Sequence, residues 1–234
     1  MQAIILAGGK GRRLMPYTTV LPKPLMPIGD YSILEVILRQ LKHYGFGRVT
    51  ISTGYLHELI HAYLNSNTSL GLELSYSHEE SPLGTIGPLR LLEKLDDTFL
   101  VMNGDILTDI NYRELIESHK KKKAVATVAT YQRDVNIDFG VLEKGADQKI
   151  VAFKEKPTFH FYVSMGVYVF SKKILDYVPD GEPFGFDQLM YTLTGEKAAV
   201  YSYPHTGYWL DIGRPDDYAR SIDEFERYKD RFLP

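Results

Sequence analysis

Cysteine is absent from this 234-residue chain. That excludes a disulfide framework and any thiolate metal site. Long apolar runs are missing as well, since no stretch approaches the ~18 uninterrupted apolar residues that mark a membrane-spanning helix. No basic segment leading into an apolar core opens the chain, so no secretory leader is expected and the expected location is cytoplasmic. Positive charge is not in excess. Against 27 Lys and Arg stand 30 Asp and Glu, a formal charge of −3 with a pI near 6.2. A nucleic-acid polymer usually demands a basic face, so neither such a polymer nor a membrane is an expected partner. Without Cys or a Gly-x-Ser-x-Gly turn, nucleophilic hydrolase chemistry has no anchor. The seven histidines are scattered, and only His57 and His61 stand at i, i+4 spacing, on an otherwise amphipathic helix. No metal site is expected there.

What remains is the composition of an ordinary soluble domain, 44% hydrophobic and 24% charged. The length suits a single α/β domain spanning residues 1–234. Strands are expected at residues 2–7, 48–53, 72–77 and 98–103, and helices at 31–44, 57–65, 85–95 and 111–122. This βαβα rhythm predicts a mostly parallel sheet flanked by helices. After Ala124 the character changes to a β-richer half. Strands are expected at 124–131, 139–143, 150–153, 162–170 and 198–203, with a helix near 187–193 and a closing helix at 214–229. The lysines at 120–123 read as solvated cations at a helix C-terminus.

The most informative stretch is Leu6-Ala7-Gly8-Gly9-Lys10-Gly11-Arg12-Arg13-Leu14, at the end of an apolar run. It reads as a buried strand opening into a glycine-rich loop. Bare backbone can approach a ligand closely and turn successive N–H groups toward phosphate oxygens. Lys10, Arg12, Arg13 and Lys23 bring positive charge to the same strand end. The loop is not a Walker A sequence, because no Gly-Lys-Ser/Thr closes it, and Leu14 stands where a dinucleotide fingerprint needs a third glycine.

Asp105 follows the apolar strand 98–103, and Asp211 follows Trp209-Leu210. C-terminal strand ends of a parallel sheet line one edge, so Asp105 is expected to face the glycine loop. Two carboxylates near bound phosphates suit Mg²⁺. In Phe153-Lys154-Glu155-Lys156-Pro157 the alternation puts both lysines on one side of an extended strand. Alternating charges on an exposed edge strand look the same, and the residues alone favour that reading; as a site, Lys156 would hold a phosphate while Glu155 accepts from sugar hydroxyls, or the reverse. Gly84-Thr85 reads as a turn with Thr85 capping a helix, beside which a flat base fits. Glu79 or Glu80 offers a carboxylate to the adjacent N–H donors of guanine.

Taken together these motifs resemble the sugar-1-phosphate nucleotidylyltransferases. The signature Gly-Gly-x-Gly-Thr-Arg-Leu-x-Pro-x-Thr followed by Pro-Lys-Pro appears as Gly8 to Thr18 and Pro22-Lys23-Pro24. Pro82-Leu83-Gly84-Thr85, Asn103-Gly104-Asp105, Phe139-Gly140-Val141, Glu155-Lys156-Pro157 and Trp209-Leu210-Asp211-Ile212-Gly213 match in the same order. The resemblance implies a Rossmann-like nucleotidyltransferase fold, with residues 1–123 mainly binding nucleotide and 124–234 mainly binding sugar phosphate. It implies an NTP and a sugar 1-phosphate as substrates, Mg²⁺ as cofactor, and an NDP-sugar and pyrophosphate as products. Self-association into a homo-oligomer is common among such proteins.

By resemblance, Leu6, Ala7, Gly8, Gly9, Gly11, Glu79, Gly84 and Thr85 line the nucleotide. Arg13 steadies the triphosphate, Lys23 neutralises phosphate oxygens, and Asp105 and Asp211 hold the metal. Gly140, Glu155, Lys156 and Ser164 surround the sugar phosphate. Pro-Lys-Pro and Pro-Leu-Gly-Thr look most like the mannose-1-phosphate guanylyltransferase branch and its heptose relatives, although relatives with these signatures also use other bases. Arg12 replaces the usual Thr, Ser164-Met165-Gly166 replaces Asn-Ala-Gly, and Ile86 replaces Ala. The chain closes soon after its last helix, so no appended second activity is expected. A catalytically silent nucleotide-sugar sensor is the alternative of another class.

Overall fold

A computed structural model describes residues 1–66 and 70–233. The chain begins as expected, with β1 at Gln2–Ala7. A short hairpin, β2 (Pro27–Ile28) and β3 (Tyr31–Ser32), leads into α1 (Ile33–His43). Ser32 caps that helix, its hydroxyl accepting from the Glu35 N–H at 3.0 Å, which satisfies one of the unpaired donors of a helix start. There follow β4 (Arg48–Thr53), α2 (His57–Ser66), β5 (Glu73–His78), β6 (Thr98–Asn103) and β7 (Ile106–Thr108). Helix α3 (Tyr112–Lys122) is capped by Asn111, whose side chain accepts from Arg113 and Glu114, each at 3.1 Å.

The second half contains β8 (Ala126–Asn136), β9 (Val141–Lys144), β10 (Ile150–Lys154) and β11 (Thr158–Ser171). Helix α4 (Phe186–Gly195), β12 (Val200–His205), β13 (Trp209–Asp211), α5 (Pro215–Arg227) and α6 (Lys229–Phe232) complete the chain. Seven strands form one sheet in the order β12-β8-β11-β6-β1-β4-β5. Pairing is parallel except where β11 runs between β6 and β8, antiparallel to both. The sheet is therefore mixed and mostly parallel.

Strand β1 shows why its sequence is a continuous apolar run. Ala3, Ile5 and Ala7 enter a core with Val36, Ile37 and Leu41 of α1, while Ile4 enters a second core with Leu189 and Leu193 of α4. Alternate side chains point to opposite faces, and helices cover both.

One expected element is replaced. Instead of a helix over 85–95 the chain makes a single 3₁₀ turn at Gly87–Leu91. Gly87 and Pro88 are both poor helix formers, and Pro88 brings no N–H. The turn is pinned from outside, because the N–H groups of Ile86 and Gly87 both donate to the Phe184 carbonyl at 3.0 Å. Thr85 consequently caps no helix of its own. Its hydroxyl accepts from the N–H of Phe186, at the first turn of α4, at 2.9 Å.

Two strands also run further than expected. β8 and β11 extend together beyond the sheet as a two-stranded ribbon, and β9 and β10 form a separate hairpin. Among the described residues no helix is long and apolar enough to cross a membrane.

Candidate active site

The C-terminal ends of β1, β4, β5 and β6 share one edge of the sheet, and a cleft of about 890 Å³ opens there. Its walls contain Leu6, Ala7, Gly8, Gly9 and Gly11 from the glycine loop, Arg13 and Lys23, then Glu79, Gly84, Thr85 and Asp105. Segments as far apart in sequence as Leu6 and Gly213 thus converge on that edge.

The loop is built for close approach. Gly11 sits at φ +59° and its carbonyl accepts from the Leu14 N–H and from the Thr18 hydroxyl, both at 2.9 Å. Between Gly8 and Gly54 the backbones touch, and a Cβ on Gly54 would lie 2.9 Å from the Gly8 carbonyl oxygen. Arg13 reaches across to the far end of the chain, so that a Cβ on Gly213 would meet its guanidinium at 3.2 Å.

The two aspartates are brought together by a small piece of sheet that sequence reasoning did not foresee. β13 pairs antiparallel with β7, placing Asp211 opposite Ile106, and the Ile212 N–H donates to the Asp105 carbonyl at 3.0 Å. Lys23, 8% exposed, forms an ion pair with one carboxylate oxygen of Asp105. The other, Oδ1, is buried and among the described residues has no hydrogen-bond partner. Desolvation raises the pKa of Asp211, Asp105 raises it further, and Lys23 and Arg13 oppose both. An orphaned carboxylate oxygen and a neighbouring carboxylate reluctant to ionise are what a site looks like when a cation completes it. The donor set, all oxygen, fits Mg²⁺.

Glu79 is half-buried and already engaged. It accepts from the Leu83 N–H at 2.9 Å and from the Ser52 hydroxyl at 3.5 Å, and a Cβ on Gly8 would lie 2.7 Å from its Oε1. Burial raises its pKa, against the two hydrogen bonds. A carboxylate offers about four lone-pair sites, so acceptor capacity remains beyond these two contacts.

The nucleotidyl transferase family model matches residues 2–227. Three curated relatives are a UTP–glucose-1-phosphate uridylyltransferase of Synechocystis (31% identical over 95% of this chain), a mannose-1-phosphate guanylyltransferase of Mycobacterium tuberculosis (31% over 97%) and a D-glycero-α-D-manno-heptose 1-phosphate guanylyltransferase of Aneurinibacillus thermoaerophilus (34% over 97%). The chain spans 62% and 65% of the first two relatives' length and all of the third's. The crystal structure of HddC from Yersinia pseudotuberculosis superposes with a TM-score of 0.76 at 26% identity, covering 96% of this chain and 99% of that one. The chain belongs to the sugar-1-phosphate nucleotidylyltransferase family.

The family's Rossmann-like fold is the one described above. The residues expected at the sugar side lie outside the walls of this cleft. Gly140 and Glu155 meet each other, a Cβ on Gly140 lying 3.3 Å from Glu155 Oε2. The alternation of Lys154 and Lys156 about a strand does not hold. β10 ends at Lys154, which pairs with Glu143 at 2.9 Å, and Lys156 has turned to φ +42°. Glu155 and Lys156 form a bend, and extended geometry resumes at Thr158, directly after Pro157. Ser164 lies at a bulge in β11, accepting from the Gly166 N–H and donating to the Tyr168 hydroxyl, both at 3.2 Å.

Gly54, Tyr55 and His78 also line the cleft. Each follows or ends a parallel strand, so the strand-end argument applied to Asp105 would have found them. His57-Glu58-Leu59-Ile60-His61 has the spacing of a zinc helix, which makes its geometry worth stating. The His57 ring packs against His78 at a centroid distance of 4.1 Å, and His61 packs against Tyr76 at 3.9 Å. Among the described residues no group of three His, Asp or Glu side chains is arranged to hold a metal.

Proposed function

We propose that this chain transfers a nucleotidyl group from an NTP to a sugar 1-phosphate, releasing pyrophosphate, with GTP and mannose 1-phosphate or a related sugar as substrates. The observation that carries the reading is the convergence of Arg13, Lys23, Asp105 and Asp211 on the edge formed by the glycine loop. An oxygen of the sugar phosphate forms a bond to the α-phosphorus as the bond from that phosphorus to the β-bridging oxygen breaks. Pyrophosphate carries away the negative charge, so no covalent enzyme intermediate is needed. Catalysis then rests on positioning and on charge neutralisation.

Loop N–H groups at Gly8, Gly9 and Gly11 face the phosphates, and Arg13 holds the triphosphate and the departing pyrophosphate. Lys23, released from Asp105, turns to phosphate oxygens. Asp105 and Asp211 would hold Mg²⁺, which when bound offsets phosphate charge and polarises the reacting phosphorus. Gly84 and Thr85 border the base, with Glu79 reading guanine through its remaining lone pairs. Gly140 and Glu155 form the sugar side with Ser164, and Lys156 takes the sugar phosphate.

Guanine is favoured by the two guanylyltransferase relatives and by the Yersinia HddC structure complexed with GMP-PN, which is 25% identical. A uridylyl-, thymidylyl- or cytidylyltransferase is the second reading, because the uridylyltransferase relative is equally similar. Pyrophosphate release with Mg²⁺ separates them, crossing GTP, UTP, dTTP and CTP against mannose, heptose, glucose and glucosamine 1-phosphates. GTP should outpace the other nucleotides with mannose or heptose 1-phosphate. A non-guanine winner would dismiss Glu79 as the base reader, and binding without turnover on every pair would favour a sensor.

A further inference from the structure

At the opposite end of β6 from Asp105 lies a second cavity, of about 310 Å³. Its wall combines Lys120, Lys123 and Lys173 with Thr98, Ser171 and His119, and contains no carboxylate. Thr98 and Ser171 are register partners across β6 and β11, so two strands hold the floor. Six residues of strand at ~3.3 Å each place this cavity roughly 20 Å from the nucleotide cleft. It is separate from the site of the proposed reaction.

Four observations point to an anion. First, the three lysines come from two segments remote in sequence, so the cluster is more than the basic end of one helix. Second, among the described residues none of the three forms an ion pair or a side-chain hydrogen bond. Lys122, between them in sequence, is spent elsewhere, donating to the Ser202 carbonyl at 3.4 Å and lying over the Tyr201 ring. Third, Lys123 occupies the left-handed conformation at φ 49°, where a helix end favours glycine, so a side chain is kept at a backbone cost. Fourth, the Ser171 hydroxyl is buried in the same wall and has no hydrogen-bond partner among the described residues, an uncommitted donor beside the lysines.

Two carbonyls of the helix C-terminus are already occupied by backbone donors. The His119 carbonyl accepts from Lys123 and Ala124, and the Lys120 carbonyl accepts from Lys123. The wall holds three lysines and no carboxylate among its lining residues, and a dianion would supply the missing counter-charge. Lysine acts as a point charge on phosphate rather than a planar fork, so shape selectivity is modest and charge dominates.

We infer that this cavity is a second, non-catalytic site for a small phosphate-bearing anion, held by Lys120, Lys123 and Lys173. The ligand chemistry is a phosphate or phosphomonoester group, whether free or carried on a metabolite.

The test is a titration of the full chain with inorganic phosphate at low salt, followed by backbone amide NMR shifts. The amides of Thr98, Lys123 and Ser171 should saturate in the millimolar range, separately from those of Gly9 and Gly11. The combined variant Lys123→Gly, Lys173→Gln should weaken the lower-site titration about tenfold while leaving the glycine-loop titration and turnover unchanged. Glycine suits the backbone at position 123, so the variant is expected to melt no lower than the parent. Titration with glucose 6-phosphate distinguishes a free from a carried phosphate, saturation by either supporting the site. Lower-site shifts that never saturate, that chloride at equal ionic strength reproduces, or that persist unchanged in the variant would overturn the inference.

Discussion

Strands β8 and β11 are two different structures along their length. From Ala126 to Ala129 and from Met165 to Phe170 they are buried in the sheet. From Arg133 to Asn136 and from His160 to Tyr162 the same strands stand in solvent, with Val135, Phe161 and Tyr162 exposed. The neighbouring β9–β10 hairpin continues this arm with Leu142, Ile150, Val151 and Phe153 exposed, and Phe139 before it is 78% exposed. The change occurs at the β11 bulge between Ser164 and Tyr168. There Gly166, at φ +72°, lies so close to Asn103 that a Cβ would meet its amide at 2.6 Å. A two-stranded ribbon is marginal alone in water, whereas a strand covered on both faces is rigid. The charges assigned to the nucleotide's phosphates and to the metal stand at the rigid part, whereas Lys156, assigned to the sugar phosphate, stands on the arm. Gly140 and Glu155, assigned to the sugar, stand on the arm.

The largest effect expected from this division is on turnover. Asp105 leaves a buried, paired strand end, and its position is fixed by the Gly104 N–H donating to the Leu6 carbonyl at 2.9 Å. Asp105→Asn should lower pyrophosphate release about a thousandfold, a loss typical when a preorganised charge is removed. Circular dichroism serves to confirm folding. A variant retaining more than about a tenth of the parent turnover would separate Asp105 from the reaction.

How far the sequence foretold this arrangement follows from which forces act locally. Strand-end positions were legible because β1 and β6 carry unbroken apolar runs, residues 3–7 and 99–102, followed at once by glycine or a polar residue, while β4 alternates Val49 and Ile51 with polar residues before Gly54. The cleft residues from Leu6 to Thr85 therefore came together where expected. What failed was decided by distant partners in one place and by short, irregular segments in the others. The helix at 85–95 was displaced by the Phe184 carbonyl, nearly a hundred residues away, and no local periodicity contains that contact. The Lys154–Lys156 alternation failed because a turn begins after Lys154. The β7–β13 pairing that unites Asp105 with Asp211 uses three-residue strands, too short for a period-two pattern to register.

A second way to sharpen the contrast uses two glycines in the same backbone region. Gly84, at φ +80°, would place a Cβ 2.7 Å from the Phe184 carbonyl oxygen and 2.9 Å from its carbon. Gly181, at φ +70°, has nothing within 4 Å. Gly84→Ala adds a backbone collision to the torsional cost and should destabilise the fold by ~3–4 kcal/mol. Gly181→Ala should cost only the torsional part, ~1 kcal/mol. Urea midpoints of the two variants report the difference directly. Equal losses would mean that the clamp between residues 84–87 and 184 yields, and that the cleft wall carrying Thr85 is no more rigid than an open turn.

The smallest expected effect compares two histidines, one in each environment. His119 is 2% exposed, with Nδ1 2.9 Å from the Thr127 hydroxyl at the buried start of β8. Burial first, then the charge of Lys120, depress its pKa from 6.5 to about 4. The folded chain therefore resists a proton that the unfolded chain accepts. His119 imposes no stability cost above pH 6.5. As pH falls from there to about 4 the cost grows to ~2–3 kcal/mol, and below that it levels off because both states are protonated. His160, on the exposed ribbon, pairs with Asp134 at 2.7 Å in open water. Hydrogen bonds from His160 and Gln132 lower the Asp134 pKa, so any stability from that pair is present above the ordinary carboxylate range and fades as pH falls through it. Solvent screening leaves that contribution too small to resolve. Thermal melts between pH 7 and pH 4 should therefore flatten in His119→Gln, relative to the parent, and keep the parent slope in His160→Gln. A flattened slope in the second variant would place the ribbon in a drier environment than its exposure implies, and would shift the boundary between rigid sheet and solvated arm outward from the Ser164 bulge.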